Sequence, residues 1–312
     1  MYTRRRLLTA ATGAAGLAGA LALPGAVSAA PTDRRVGKNG SLKVSFFTDA
    51  HVPIDKETLK PTPNNARVTV AFERMAREKP DLVLFGGDNV GAVDGGHTEA
   101  NARAQFDNWS ALVKTHVRAP HVSVIGNHDI WYPKDTKPDD RKAMARAAFG
   151  MPNRYYAVDR GAWKFLMLDT FHDDGCHIDA PQMEWLKKEI AADPKKHIAL
   201  VSHASILTVS CFIERGKPQK GAWNVPVGWM VENANELRDL FLQHPNVRLS
   251  LSGHMHHLDR CDYDAVTYLC GGAVSGSWWG GDYLHFAPAF VNLELFDDGT
   301  FTNRTIFWEK IA

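Results

Sequence analysis

The sequence predicts an α/β fold built around a mixed β-sheet. Two observations support this prediction: short apolar runs alternate with helical patterns along most of the chain, and the chain ends in a β-rich segment. The chain has 312 residues, of which 45% are hydrophobic and 23% are charged. This is an ordinary globular composition, and a chain of this length can bury a sizeable core.

The predicted strands are short apolar or alternating segments that end at polar or glycine-rich residues. In chain order they cover residues 42–47, 81–85, 121–125, 155–158, 163–168, 197–202, 247–252, 265–270, 289–296 and 300–308. The predicted helices cover residues 66–78, 102–117, 181–192 and 231–241. Two strand pairs are hairpins, which turn at Arg160-Gly161 and at Asp297-Asp298-Gly299.

The N-terminal residues have the pattern of a twin-arginine signal peptide. Arg4 and Arg5 precede an uncharged run from Leu7 to Pro31, and Val27-Ser28-Ala29 offers small residues for cleavage. A retained membrane anchor is the alternative, although the glycine and alanine content makes this run weakly hydrophobic. The predicted organisation is a signal peptide (residues 1–29), a short polar leader (30–41) and one folded domain (42–312).

The charge balance gives no sign of a nucleic-acid partner. The formal net charge is +1, from 36 basic and 35 acidic side chains. Nucleic-acid binding requires a clustered excess of Lys and Arg, which the sequence does not show.

Four cysteines lie beyond the predicted signal peptide, and an even number permits two disulfides in an oxidising compartment. We favour the pairs Cys176–Cys211 and Cys261–Cys270, and the alternative is that all four are free and buried. None of the four belongs to a C-x-x-C pair, which argues against a zinc site built from cysteine.

Polar side chains follow five of the predicted strands, at the edge where open α/β sheets place their ligands. The five groups are Asp49-Ala50-His51, Gly86-Gly87-Asp88, Gly126-Asn127-His128-Asp129, His203 and Gly253-His254-Met255-His256. Carboxylate, imidazole and amide oxygen together suit zinc, manganese or iron. Each group alone has a structural explanation, such as a turn or a buried histidine. Their combination in this order, each at a strand end, favours a metal site.

These motifs resemble those of the calcineurin-like metallophosphoesterases, whose pattern is D-x-H, G-D, G-N-H-D/E, H and G-H-x-H. The pattern is complete here from Asp49 to His256. The resemblance implies a four-layer α/β/β/α sandwich and two metal ions of the manganese, iron or zinc type. It assigns one ion to Asp49, His51, Asp88 and His256, and the other to Asp88, Asn127, His203 and His254.

The resemblance also implies a mechanism for cleaving phosphate esters. Two ions roughly 3.5–4 Å apart activate a bridging water, which attacks phosphorus in line. His128 would stabilise the transition state or protonate the leaving oxygen. Asp129 would orient His128 through a hydrogen bond.

The first motif separates two branches of this family. Purple acid phosphatases carry D-x-G where this chain has D-x-H, and their metal-binding tyrosine would fall at Gly91. The sequence is more similar to the class III cyclic-nucleotide and glycerophosphodiester phosphodiesterases. That branch acts on diesters and on monoesters, so both remain possible substrates.

Aromatic segments near the motifs offer candidate substrate contacts. One is residues 205–228 and another is residues 275–280. These segments would either line a pocket or pack over the sheet edge. The candidate lining residues are Arg215, Trp223, His257, Trp278 and Trp279.

Three functions are consistent with the sequence. The first is an exported dinuclear-metal hydrolase acting on a small-molecule phosphate ester, carried across the membrane by the twin-arginine machinery to the periplasm or beyond. The second is a metal-dependent nuclease, which would need a basic groove. The third is a non-catalytic protein that holds metal without turning over an ester.

Overall fold

The computed structural model describes residues 40–132, 141–214 and 216–309, which all belong to one compact unit. The predicted signal peptide and all but the last two residues of the predicted leader lie outside the described residues. Among the helices of the described part, none is long and apolar enough to cross a membrane.

Two mixed β-sheets form the centre of the fold. The first sheet has the order β15-β14-β1-β2-β3, and the second has the order β12-β13-β11-β8-β5-β4. The first sheet contains β1 (Ser41–Phe47), β2 (Leu82–Phe85), β3 (His121–Ser123), β14 (Phe290–Phe296) and β15 (Phe301–Ile306). The second contains β4 (Tyr156–Arg160), β5 (Trp163–Met167), β8 (His197–Val201), β11 (Val247–Ser252), β12 (Leu258–Tyr263) and β13 (Val266–Gly271).

Parallel strands form the middle of the second sheet and one side of the first, and antiparallel strands lie beside them. Strands β1, β2 and β3 run parallel, as do β5, β8, β11 and β13. Parallel neighbours bring their carboxyl ends to one edge of a sheet, so the segments that follow β1, β2, β3, β8 and β11 can meet.

Alternate side chains of the central strands enter different cores, because successive residues of a strand point to opposite faces. In β2, Leu82 and Leu84 pack between the two sheets, whereas Val83 and Phe85 pack beneath helices. In β8, Ala199 likewise packs between the two sheets, whereas Ile198 packs beneath helices. The two sheets therefore pack face to face with helices outside each, which confirms the four-layer sandwich.

Helices cover the outer face of each sheet. Helices α1 (Asn64–Arg77) and α2 (Glu99–His116) pack on the first sheet, and α4 (Ala180–Ala192) and α6 (Ala234–Leu242) pack on the second. The backbone N–H of Asn101 donates to the Thr98 hydroxyl at 3.2 Å, which caps α2 at its N-terminus. Two short α-helices, α3 (Ala143–Ala148) and α5 (Ser210–Glu214), and a 3₁₀ turn over Asn127–Asp129 complete the helical set of the described residues.

Most element bounds agree with the sequence within three residues, and the omissions have local causes. Strand β12 lacks a buried face, and its mixed polar sequence gives no alternation of apolar residues. The hairpins β6 (Phe171–His172) with β7 (Gly175–Cys176), and β9 (Lys217–Gln219) with β10 (Ala222–Asn224), have strands of only two or three residues. Such strands are too short to show a periodic pattern.

All four cysteines are free thiols, so the two favoured disulfides are wrong. Cys270 lies opposite Asp259 and Cys261 opposite Tyr268, which makes the two cysteines a diagonal pair across the ladder. Diagonal Cα atoms lie about 7–8 Å apart, which exceeds the reach of a disulfide. Cys176 packs beneath the outer helices of the second sheet, whereas Cys211 belongs to a separate buried cluster with Met255.

Candidate metal centre

The five sequence motifs meet at the carboxyl edge of the two sheets. The loops after β1 and β2 are joined by backbone hydrogen bonds, from Asp49 N–H to Gly87 O at 3.1 Å and from His51 N–H to Asp88 O at 2.9 Å. The backbone N–H of His254 donates to both carboxylate oxygens of Asp49, at 3.1 and 3.0 Å. These bonds connect segments that are distant in sequence and fix their relative position.

Five of the seven predicted ligands have backbones in the left-handed region. The φ angles are 53° for Asp49, 41° for His51, 50° for Asp88, 68° for His254 and 57° for His256. Residues other than glycine seldom adopt this conformation, and they cluster at functional sites when they do. These conformations turn each side chain sharply off its strand toward a common point.

The first cluster consists of Asp49, His51 and His256, all of them buried. One ligand atom from each lies within 4.8 Å of the others. The His256 Nε2 lies 3.3 Å from Asp49 Oδ1 and 3.1 Å from His51 Nε2.

The hydrogen bonds of the two histidine rings leave both Nε2 atoms directed toward a common position. His51 Nδ1 donates to Gly91 O at 3.3 Å and His256 Nδ1 donates to Gly276 O at 2.6 Å. With Nδ1 bound to a carbonyl oxygen, each ring turns its Nε2 toward the other. Carbonyl acceptors of this kind orient metal-binding histidines in other proteins. The first cluster therefore fits a metal ion.

Burial keeps His51 and His254 available as ligands. Desolvation is the largest influence on both and outweighs the nearby carboxylates; it lowers the pKa of His51 to about 3 and that of His254 to about 4. Both rings are therefore neutral near pH 7, the form that binds metal.

The second cluster consists of Asp88, His203 and His254, again within 4.8 Å of one another. His203 Nε2 lies 3.1 Å from Asp88 Oδ2, and its Nδ1 donates to Gly86 O at 2.7 Å. The fourth predicted donor, Asn127, has a buried Oδ1 that accepts no hydrogen bond from the described residues. A buried oxygen without a donor suits metal coordination. The second cluster therefore also fits a metal ion.

Asp88 lies between the two clusters. Its Oδ2 is 3.1 Å from His203 Nε2 and 3.7 Å from His51 Nε2. Its Oδ1 accepts the backbone N–H of His128 at 2.8 Å. An ionised carboxylate in this position can bind two cations at once, as the resemblance implies for Asp88.

Two glycines allow the backbone to approach the carboxylates. A Cβ atom on Gly126 would lie 2.1 Å from Asp88 Oδ1, and one on Gly253 would lie 2.3 Å from Asp49 Oδ2. Such distances leave no room for a side chain. The glycines of the third and fifth motifs therefore serve close packing around the ligands.

His128 is oriented by Asp94, which the sequence did not reveal. His128 Nδ1 lies 2.9 Å from Asp94 Oδ1. The hydrogen bond to Asp94, with help from the charge of Asp88, outweighs the opposing effect of burial and raises the pKa of His128 to about 9. Asp94 follows Asp88 by six residues in an irregular loop, so no spacing rule points to it.

The predicted role of Asp129 is wrong. Its carboxylate accepts the backbone N–H groups of Asn89, Val90 and Gly126 at 3.0, 3.1 and 2.9 Å. Both oxygens of the Asp129 carboxylate thus accept from the backbone, whereas the His128 ring is held by Asp94. Asp129 therefore joins the loop after β2 to the loop after β3, and it supports the site by holding these two loops together.

A cavity of about 240 Å³ opens beside the two clusters. Its described lining residues are Asp88, His128, Trp229, His254, Met255, His256, Trp278 and Tyr283. Trp278 is the one predicted substrate-lining residue among them. Trp229 and Tyr283 were missed because they stand alone in irregular segments, and Met255 was missed because it is the variable position of the G-H-x-H motif.

The other predicted substrate-lining residues lie elsewhere or outside the described residues. Trp279 is buried and its Nε1–H donates to His51 O at 2.9 Å, so it supports the first cluster from behind. His257 is buried against Tyr283 and Phe286. Trp223 is exposed on β10 and does not line the described cavity, and Arg215 lies outside the described residues.

Comparison with known proteins agrees with this geometry. The calcineurin-like phosphoesterase family profile matches residues 42–258. A 3′,5′-cyclic-nucleotide phosphodiesterase from Nostoc is 25% identical over 274 residues, covering 84% of this chain and 91% of that protein. A 3′,5′-cyclic adenosine monophosphate phosphodiesterase from Escherichia coli is 26% identical over 199 residues, covering 60% of this chain and 63% of that protein.

Solved structures show the same fold. A dimetal phosphatase from Danio rerio superposes with a TM-score of 0.59 at 15% identity, covering 86% of this chain and 99% of that chain. A purple acid phosphatase from yellow lupin gives 0.56 at 19% identity, covering 86% of this chain and 54% of that chain. The match of the family profile over most of the chain, with its motifs gathered at one sheet edge, shows that this protein belongs to the calcineurin-like phosphoesterase family and is a metal-dependent hydrolase.

Proposed function

We propose that the protein is a dinuclear metal phosphodiesterase whose substrates are small phosphodiesters, with cyclic nucleotides the favoured class. One observation carries the proposal: the two donor clusters adjoin, with Asp88 between them, and both border one cavity. The names of the relatives from Nostoc and Escherichia coli support the choice of a cyclic phosphodiester.

The first ion would be held by Asp49, His51 and His256, and the second by Asp88, Asn127, His203 and His254, with Asp88 shared. Bound manganese, iron or zinc would neutralise phosphate oxygens and supply a water of near-neutral pKa as nucleophile.

His128 is placed to handle the proton of the leaving oxygen. Its side chain is partly exposed and borders the cavity beside Asp88 and His254. Asp94 accepts from Nδ1, which leaves Nε2 free to face a substrate. A protonated Nε2 can donate to the oxygen that departs from phosphorus. Asp94 is thus a positioning residue that keeps the donor in the required tautomer.

Size and charge favour a small substrate over an extended nucleic acid. The cavity of about 240 Å³ is below the range of about 300–1,000 Å³ that encloses a drug-sized ligand, so only part of a nucleotide would be enclosed. The net charge of +1 gives no general attraction to polyanions. Monoesters remain the second candidate, because both ester types present the same phosphate oxygens to the two metal sites.

A chelation and reconstitution assay tests the proposed function. The protein is stripped with a chelator, then assayed with Mn²⁺, Fe²⁺ or Zn²⁺ on cyclic AMP, bis(p-nitrophenyl) phosphate and p-nitrophenyl phosphate. We expect no turnover after stripping and recovery with at least one metal, fastest on the diesters. A protein that binds two metal ions and hydrolyses none of these esters would instead be a non-catalytic metal-binding protein.

We further propose export by the twin-arginine machinery, supported by Arg4 and Arg5 before an uncharged run. Replacing both arginines with lysine should retain the full-length chain in the cytoplasm, as measured by fractionation and immunoblotting. Equal amounts of the variant and the unchanged protein outside the cytoplasm would contradict export by this route.

A further inference from the structure

Loop 275–279 links the metal site to the cavity wall. Ser275 Oγ donates to Asp49 O at 2.8 Å, and Gly276 O accepts from His256 Nδ1 at 2.6 Å. Trp279 Nε1–H donates to His51 O at 2.9 Å. Each of these bonds holds a residue of the first cluster, so the loop is fixed relative to the metal position.

Two consecutive tryptophans in this loop have different environments. Trp279 is 7% exposed, whereas Trp278 is 48% exposed at the cavity. Both have left-handed backbones, with φ of 47° for Trp278 and 72° for Trp279. These two strained conformations bury the indole of Trp279 and leave the indole of Trp278 in contact with solvent. Burying Trp278 as well would remove more apolar surface from water and would stabilise the fold, so its exposure is a cost.

Trp278 lies directly beside two candidate ligands. Its ring centroid is 4.5 Å from that of His256, with the planes inclined by 33°, and 5.4 Å from that of His51. Tyr283 meets the Trp278 ring edge-on at 5.7 Å. Trp278 and Tyr283 therefore form an aromatic wall that adjoins the first cluster.

The wall offers stacking rather than recognition of a base edge. No Asn or Gln side chain, the groups that pair with adenine edges, lines the described part of the cavity. Stacking on an aromatic side chain tolerates any base, because every base has a π-face. The cavity is too small to enclose a whole nucleotide, which leaves the base at its mouth, where Trp278 is exposed.

We propose that Trp278 is the specificity-determining residue of the site: it stacks on the flat ring of a nucleotide ester, and so favours such esters over aliphatic diesters without discriminating adenine from guanine. This inference rests on the proposed phosphodiesterase function. The preference for nucleotide esters then depends on one side chain, which recognises the flat ring of the substrate.

The test compares Trp278→Ala and Trp278→Leu with Trp278→Phe on three substrates: cyclic AMP, cyclic GMP and glycerophosphoethanolamine. Stacking is worth about 1–3 kcal/mol, which corresponds to roughly 5- to 150-fold. Both ring-free variants should raise KM for the two cyclic nucleotides by about that factor, with kcat changed less than about threefold. Turnover of the aliphatic diester should change less than about threefold, and Trp278→Phe should restore most of the loss.

A matched control is Trp223→Ala, because Trp223 is 54% exposed but lies on β10 outside the described cavity lining. This variant should leave all three KM values unchanged. Metal content is measured for every variant. If Trp278→Ala loses metal, Trp278→Leu provides the test in its place, since leucine keeps apolar bulk over His256. An equal loss on cyclic nucleotides and on the aliphatic diester, with metal retained, would overturn the proposal.

A binding measurement separates this proposal from the proposed function. Calorimetry compares 5′-AMP with ribose 5-phosphate on the metal-loaded protein. We expect 5′-AMP to bind more tightly than ribose 5-phosphate, and Trp278→Leu to abolish the difference. If the protein hydrolyses none of the esters, this difference still decides the role of Trp278, and equal affinities would refute it.

Discussion

The two donor clusters differ in how they are enclosed. Asp49, His51 and His256 of the first cluster are all buried, and loop 275–279 bonds to each of them. Both clusters border the cavity, the first through His256 and the second through Asp88 and His254, but only His254 is partly exposed. The difference suggests a division of labour: the first cluster is built to hold its ion in a fixed framework, and the second meets the substrate and the proton donor.

The largest effect is expected at Asp88, the residue common to both clusters. Asp88→Ala removes the carboxylate between His51 and His203 and should lower kcat/KM for the diester by at least about 1,000-fold, since each factor of ten needs only about 1.4 kcal/mol. Metal analysis should show fewer than two ions per chain. Asp159→Ala, an exposed carboxylate on β4, is the control and should behave as the unchanged protein. Full activity of Asp88→Ala would refute the shared position.

Removing one histidine from each cluster tests the difference between them. His51→Ala and His254→Ala should each lower activity by about 100-fold or more. Excess metal should partly rescue His254→Ala, because Asp88, His203 and Asn127 remain and the lost ligand is the partly exposed one. It should not rescue His51→Ala, because His51 is buried and loop 275–279 holds the rest of the first cluster around it. His177→Ala, at a histidine outside both clusters, is the control, and equal rescue of the two ligand variants would contradict the proposed difference between the clusters.

Two aspartates near His128 have different roles: Asp94 positions the His128 ring, whereas Asp129 holds two loops together. Asp94→Asn should lower kcat by about 10- to 100-fold with KM and metal content unchanged, because it weakens the hold on His128 Nδ1. Asp129→Asn should instead lower the free energy of unfolding by about 1–3 kcal/mol, since its amide NH₂ would face a backbone N–H. Steady-state kinetics and thermal unfolding measure the two effects. The reverse pattern would restore the role first predicted for Asp129.

The smallest effect is expected at Trp279. Trp279→Phe removes the hydrogen bond to His51 O and should lower the free energy of unfolding by about 1–2 kcal/mol. The first cluster should bind its ion more weakly, while the second is unaffected. Thermal unfolding with and without added metal gives the measurement. Unchanged stability and metal affinity would show that loop 275–279 does not support the first cluster.

The candidate site was predictable where its residues directly follow a strand. Asp49, Asp88 and His203 each stand at the end of an apolar run, so the sheet itself brings them together. Asp94 was not predictable, because only the folded loop carries it back to His128. Sequence adjacency pointed instead to Asp129, whose oxygens accept backbone N–H groups.

The fold shows the same limit. Strands such as β2 and β8 are continuous apolar runs buried on both faces, and their patterns revealed them. The exposed edge strand β12 and the β9–β10 hairpin carry mixed polar sequences without a period. Nor does the sequence show which of two adjacent tryptophans is buried, since that depends on the backbone angles of residues 278 and 279.

The central claim is that two adjacent metal ions occupy the two clusters, and crystallography tests it most directly. Crystals of the manganese-loaded protein should show two anomalous difference peaks roughly 3.5–4 Å apart. One peak should contact Asp49, His51 and His256, the other should contact Asn127, His203 and His254, and Asp88 should touch both. A single peak, or two peaks that do not share Asp88, would contradict the account.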